Sequence, residues 1–296
     1  MTRLDLERSR GGRVAGRGGG VLPDDMASLF CQQNTGMGQT RKRYLKLEEV
    51  GHCKPTTKKG TRRCLPTTVP SNPACGPHDD HCRLDHAPLS DADKATLRAQ
   101  YLRPRYPAEW LNDEDKWLDN FQIESVMKQY QEAYPWFRFM GALPMDFSAP
   151  DPYKPGVKQC LNPDICNLNL RTEYEKGVRA IGSIFNLDPH TKGGSHWIAL
   201  YIDLHDLDQV SVFFSDSYGM KPPRLVARFM RALRLQAPTA KLAYNARRFQ
   251  YSSSECGMYS MYFLICMLSG IPFKLFVKRR VPDQFMLDLR KVLFSK

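Results

Sequence analysis

Residues 257–273 run for seventeen positions without a charged side chain, directly after a polar turn, 250–255, and Cys256. Seventeen residues is the lower limit for crossing a membrane. This run also holds two glycines, a proline, two serines and two tyrosines. It reads as a buried core helix, with no membrane association expected. A helix buried on all sides needs a sheet or other helices around it, so the rest of the chain must supply that cover. Cys256 then stands at the helix N-terminus, where unsatisfied amides and the helix dipole favour a thiolate.

The rest of the chain fits that demand only from about residue 90. Trp117-Leu118-Asp119-Asn120 opens an amphipathic segment to Tyr130, with Asp119 or Asn120 as its cap. Ser90 and Asp93 start an earlier helix that Pro104 stops, and residues 137–147 read as a strand and turn. Segment 178–186 is a strand candidate. Trp197-Ile-Ala-Leu-Tyr-Ile-Asp203 is the strongest strand, and 210–215 pairs with it as a hairpin. A helix over 224–235, short strands at 241–244 and 248–250, and a final helix over 283–294 complete the pattern. The expected fold class is α+β: a central mixed sheet with Cys256 at the N-terminus of a core helix.

Residues 1–90 are different. They are rich in Gly, Pro and Arg and lack apolar periodicity, so a largely disordered basic extension is expected, with the folded domain over 91–296. The net charge is +12, and residues 1–63 carry +8 of it, with 14 Lys and Arg against 6 Asp and Glu. Such a segment can contact nucleic acid. Nine cysteines in no tight framework, and no signal-type start, point to free thiols in a reducing, intracellular setting. Cys75, His78, His81, Cys82 and His86 offer five metal-ligand side chains within twelve residues, but their spacing matches no common zinc pattern. No metal and no cofactor are expected.

A cysteine nucleophile requires a base, a group to orient it and oxyanion donors. Four of the seven histidines precede residue 90, and His190 and His205 lie in polar loops, leaving His196 at the mouth of a strand. Asp203 is seven residues along that strand, about 20 Å away at roughly 3.3 Å per residue. Asp216 ends the neighbouring strand, and a hairpin returns it beside His196. Gln250 and the Cys256 amide would hold the oxyanion, and Gly257 would let a substrate backbone pass close by.

These residues carry a resemblance. His196-Trp197 with its apolar strand, Phe214-Ser215-Asp216-Ser217 and Gln250-x5-Cys256-Gly257 resemble the ubiquitin-like-protein-specific protease superfamily, which includes SUMO proteases, the adenovirus protease and proteases of large cytoplasmic DNA viruses. The motifs concentrate in 194–264, and the African swine fever virus type is most similar. The resemblance implies a thiol endopeptidase that cleaves after Gly-Gly, with Trp197 and Trp117 closing over the glycines. It further implies the processing of viral structural polyproteins, in host cytoplasm and virion. One alternative is a deconjugase acting on SUMO-like conjugates. Another, from a different class, is a nucleic-acid-binding or scaffold protein working through its basic N-terminus.

Overall fold

A computed structural model describes residues 7–9, 53–55, 62–64, 74–75, 79–113, 116–152, 154, 156 and 160–295. The expectation of disorder over 1–90 falls mainly outside them. The chain divides into two compact units. One comprises residues 1–20 and 108–290, the other 21–107 and 291–296. The division therefore falls at 107/108, beyond the expected boundary at 90.

In the second unit, β2 (Cys53–Pro55) pairs antiparallel with β3 (Arg62–Cys64). Two helices, Asp80–Asp85 and Asp91–Tyr101, are capped by the side chains of Asp79 and Ser90. Leu84, Ala87 and Leu102 form a small core there. Arg105 bridges Ser295 in parallel, tying the C-terminal residues to this unit.

The first unit is built on a sheet. Its strands are β1 (Glu7–Ser9), β4 (Phe137–Leu143), β5 (Ala180–Asn186), β6 (Trp197–Asp203), β7 (Ser211–Ser215) and β8 (Lys241–Asn245), in spatial order β1-β8-β7-β6-β5-β4. β6 runs antiparallel to both of its neighbours, β5 and β7, whereas β4 joins β5, β8 joins β7 and β1 joins β8 in parallel. The sheet is mixed and the class is α+β, as expected.

β6 is buried on both faces, which explains its unbroken apolar run. Ile198, Leu200 and Ile202 join the core that contains Val226, Met230 and Leu233 of the helix Arg224–Gln236. The opposite face carries the helix Cys256–Leu268, whose thirteen residues are all buried. That helix lies close on β5: a Cβ at Gly182 would meet Leu264 at 3.2 Å and the Phe137 ring at 3.0 Å. Helix Asn120–Ala133 begins in a complete capping box, with Asp119 accepting from the Gln122 amide and the Gln122 side chain accepting from the Asp119 amide.

Three details differ from expectation. Residues 248–250 form no strand. Their amides at 249 and 250 bond the Ser217 carbonyl, so the segment joins a loop rather than the sheet. The helix Phe273–Lys278 follows the core helix after Pro272, where periodicity is too short to announce it. Cysteines expected as free thiols are paired as Cys75–Cys82 and Cys160–Cys166, because short turns bring each pair together. Among the described residues Cys256 and Cys266 are free. No helix among the described residues is long and apolar enough to cross a membrane.

Candidate active site

The hairpin builds the first half of the site. Its register pairs Ala199 with Ser215, so the residues just outside the paired ends, His196 and Asp216, meet across the strands. His196 Nε2 lies 2.8 Å from Asp216 Oδ1, and both side chains are buried. Asp216 also accepts from the Tyr218 amide at 2.8 Å. It thus shapes the turn after β7 and faces His196 with the same oxygen. Tyr218 stacks on the imidazole, with centroids 4.7 Å apart and planes 15° from parallel. Contact with a carboxylate at an edge and a phenol on a face leaves the ring little freedom.

Nε2 is engaged by Asp216, and Cys256 is the other group whose interaction with the ring raises its proton affinity. Burial lowers the affinity of the imidazole for a proton. The bonds to Asp216 and Cys256, and the charges of those groups, outweigh burial and raise the His196 pKa to about 9. At neutral pH the ring is therefore a cation facing the sulfur.

The second half is the turn 250–255. Gln250 is fully buried. Its Oε1 accepts from Ser217 Oγ at 2.6 Å, while its Nε2 donates to the Ser252 carbonyl at 2.9 Å. The Ser252 carbonyl can only accept, which identifies the nitrogen end of the amide, and the second N–H of Nε2 remains for another acceptor. Asp283 holds the turn from the far side, accepting from the amides of Tyr251 and Ser252 and from the Tyr259 hydroxyl. The core helix then begins at Cys256 without a side-chain cap, so its first amides have no such partner.

Glu255, immediately before Cys256, forms a buried two-pronged pair with Arg290 at 3.0 and 2.7 Å. Arg290 also donates to the Lys116 carbonyl at 2.7 Å and lies 4.4 Å over the Trp110 ring. Residues 110–118 thus run along the site, where the Leu118 carbonyl accepts from Trp197 Nε1 at 2.8 Å.

His196, Asp216, Gln250 and Cys256 are therefore brought together. Gly257 and Trp197 are also present, with a correction to what they contact. A Cβ at Gly257 would strike Leu118 at 2.9 Å and Trp197 at 3.3 Å. The missing side chain makes room for those two residues. Trp117 keeps 46% of its surface exposed, and its neighbour Leu118 is the residue against Gly257. Sequence reasoning missed Ser217, Tyr218, Asp283 and the Glu255–Arg290 pair. Only Ser217 and Tyr218 gave a signal, by adjacency to Asp216.

Of the five ligand candidates, Cys75, Cys82 and His86 cluster with ligand atoms within 4.8 Å, but the two sulfurs are bonded to each other. A sulfur in a disulfide is no thiolate ligand. His81 instead bonds the Arg103 carbonyl through Nε2 at 2.8 Å, and His78 lies outside the described residues.

Comparison with known proteins bears on the fold and the family. Over residues 168–273 the chain matches the family model of the YopJ serine/threonine acetyltransferases. It is 29% identical over 230 residues to a thiol protease of Acanthamoeba polyphaga mimivirus, covering 74% of this chain and 70% of that protein. It is 31% identical over 207 residues to the cysteine protease of an African swine fever virus tick isolate from Malawi, covering 65% of this chain and 73% of the relative. A crystal structure of the African swine fever virus protease superposes with a TM-score of 0.57 at 22% identity, over 73% of this chain and 83% of that one. This chain is a cysteine peptidase and belongs to the family of viral cysteine proteases that includes the African swine fever virus enzyme.

Proposed function

We propose that this peptidase cleaves protein substrates after a Gly-Gly pair, with Cys256 as nucleophile, His196 as acid and base, Asp216 as its orienter and Gln250 as oxyanion donor. The observation that carries the reading is His196, which is held by Asp216 at 2.8 Å and whose proton affinity is raised by Asp216 and Cys256.

The steps follow from that pair. The thiolate adds to the scissile carbonyl, and the resulting oxyanion takes N–H donors from Gln250 Nε2 and the Cys256 amide. His196 gives its proton to the leaving amine as the C–N bond breaks, which leaves a thioester on Cys256. His196 then takes a proton from water as the water attacks the thioester. The acid is released and the proton returns to the thiolate–imidazole pair.

A preference for glycine has a steric basis. Cys256 is only 2% exposed, and Trp197 and Leu118 close over the start of its helix. A substrate backbone without side chains reaches the sulfur at the lowest steric cost. In this arrangement Trp197 and Leu118 form the wall, and Trp117 forms an outer lip. The test compares internally quenched peptides with Gly-Gly and Ala-Ala before the scissile bond. Comparable kcat/KM for both would overturn the glycine reading.

By similarity to the viral relatives, the physiological role proposed is maturation of viral structural polyproteins in the host cytoplasm and virion. Virions made with Cys256→Ala should lack protein termini that follow Gly-Gly. An African swine fever virus relative carries the name SUMO-1 cysteine protease, which keeps a deconjugase as the second reading. An enzyme of that type would cleave a folded SUMO conjugate far faster than the matching Gly-Gly peptide. The acetyltransferase family match concerns the same acyl-cysteine stage with a hydroxyl acceptor. Mass gain on a serine peptide instead of hydrolysis would favour it.

A further inference from the structure

Beside the turn that carries Gln250 stands a group of side chains that the reaction does not use. Tyr251 is 56% exposed, and two guanidinium groups lie against its ring, Arg248 at 4.7 Å and Arg280 at 4.2 Å from the centroid. Arg248 also lies 5.2 Å from the centre of the Tyr218 ring, which is itself 4.7 Å from the His196 ring, so its charge is within about 10 Å of the imidazole. The sequence of rings and cations leads outward from the centre of the site.

These two cations have no carboxylate within ion-pair distance among the described residues. Asp283, at the start of the helix Asp283–Leu293, accepts from the amides of Tyr251 and Ser252 and the hydroxyl of Tyr259. Arg248 donates Nε to the Gln250 carbonyl at 2.7 Å. Stacking on an aromatic ring occupies the face of a guanidinium and leaves its edge donors for an anion. Two positive charges share one ring, and their mutual repulsion is relieved when a negative group enters between them.

We infer that Arg248, Tyr251 and Arg280 form a specificity subsite for an acidic side chain of the protein substrate, two to four residues from the scissile bond. The inference rests on an extended peptide lying across Cys256, and an extended chain covers about 10 Å in three residues. Two forked donors around a single ring match one carboxylate. A polynucleotide would call for a longer basic stripe that follows successive phosphates. The aromatic ring between the forks offers the acid's methylene groups an apolar floor.

The test uses the full chain and a quenched peptide that keeps Gly-Gly before the scissile bond, with neutral residues at the two positions preceding the Gly-Gly and at the four positions after the bond. Asp or Lys is then placed at each position in turn. At one position Asp should raise kcat/KM about 3- to 10-fold over the neutral peptide, mainly through KM, and Lys should lower it. The gain should shrink as salt rises from 50 to 500 mM, as expected for a charge pair near solvent. With Arg280→Glu the order should reverse, so that the Lys peptide outruns the Asp peptide. A structural role for Arg280 would not produce that reversal.

Indifference of the wild type to charge at all six positions would overturn the inference, and so would an Asp preference that survives Arg280→Glu. The same peptides are scored for binding to Cys256→Ala by fluorescence anisotropy. Absent turnover then counts against the Gly-Gly reading, while charge-dependent binding still decides the subsite. Tight binding of a single-stranded oligonucleotide that displaces the Asp peptide, with no peptide charge preference, would assign the cluster to nucleic acid instead.

Discussion

The two halves of the active site are held by different means. His196 and Asp216 stand at the ends of paired strands, where backbone register and the turn after β7 set their separation. The turn 250–255 belongs to no strand or helix. Its shape depends on side chains contributed from elsewhere: Ser217 on Gln250, Asp283 on Tyr251 and Ser252, and Arg290 on Glu255. The hairpin half is thus specified by a repeating pattern. The turn half is specified by single bonds, each of which one substitution can remove.

Four substitutions separate these halves. The largest effect is expected from Cys256→Ala, which removes the nucleophile shared by both. Hydrolysis of the Gly-Gly peptide should fall by about 10⁴-fold or more, while the melting temperature changes little. Substantial residual turnover would mean that another residue attacks the substrate.

Next comes the anchor of the turn. Arg290→Met leaves the Glu255 carboxylate buried without its partner and should cost about 3–5 kcal/mol of stability, read as a lower denaturant midpoint. Glu255→Leu with Arg290→Met, which removes both charges, should recover most of that loss. If the double variant is no better than the single one, the pair's contribution is not electrostatic.

On the hairpin side, Asp216→Asn should lower kcat about 100-fold or more and alter the pH profile. In the wild type His196 titrates at about 9, so activity that needs the protonated ring persists from below neutrality and declines as pH rises through 9. The same raised value means that the ring's contribution to stability is fully present below about 6.5 and is lost as pH rises through about 9. Without the Asp216 charge the His196 pKa drops, and the alkaline limb should move to lower pH. An unmoved limb would assign that titration to another group.

The smallest effect is expected for Ser217→Ala. Loss of its hydroxyl removes one of the two bonds that hold the Gln250 amide, so the remaining N–H is aimed less firmly. A drop in kcat of about 10-fold is expected, with KM nearly unchanged and partial rescue by Ser217→Thr. A change confined to KM would place Ser217 in substrate binding instead.

What was legible in the sequence follows the same division. Alternation and apolar runs marked β5, β6 and β7 nearly to their ends, and the hairpin then placed Asp216 without further information. The Asp119 cap was readable because capping is local, reaching only three residues ahead. The anchors of the turn were not readable. Ser217 and Gln250 are 33 residues apart, and Glu255 and Arg290 are 35 apart. Neither pair leaves a periodic trace. That Leu118, the neighbour of Trp117, is the residue against Gly257 was unreadable for the same reason, since it depends on tertiary packing between segments far apart in sequence. The paired cysteines, too, depend on turns that composition does not reveal.

The Glu255–Arg290 pair has a consequence for the timing of activity. During synthesis Cys256 and Gln250 leave the ribosome well before Arg290, so a nascent chain carries the nucleophile before it carries the residue that fastens it. Until that late helix docks, the turn beside Cys256 lacks its inner anchor and the sulfur has no fixed line of attack. The fixed position of the nucleophile is in this way tied to the docking of the helix Asp283–Leu293, which brings Arg290 to Glu255.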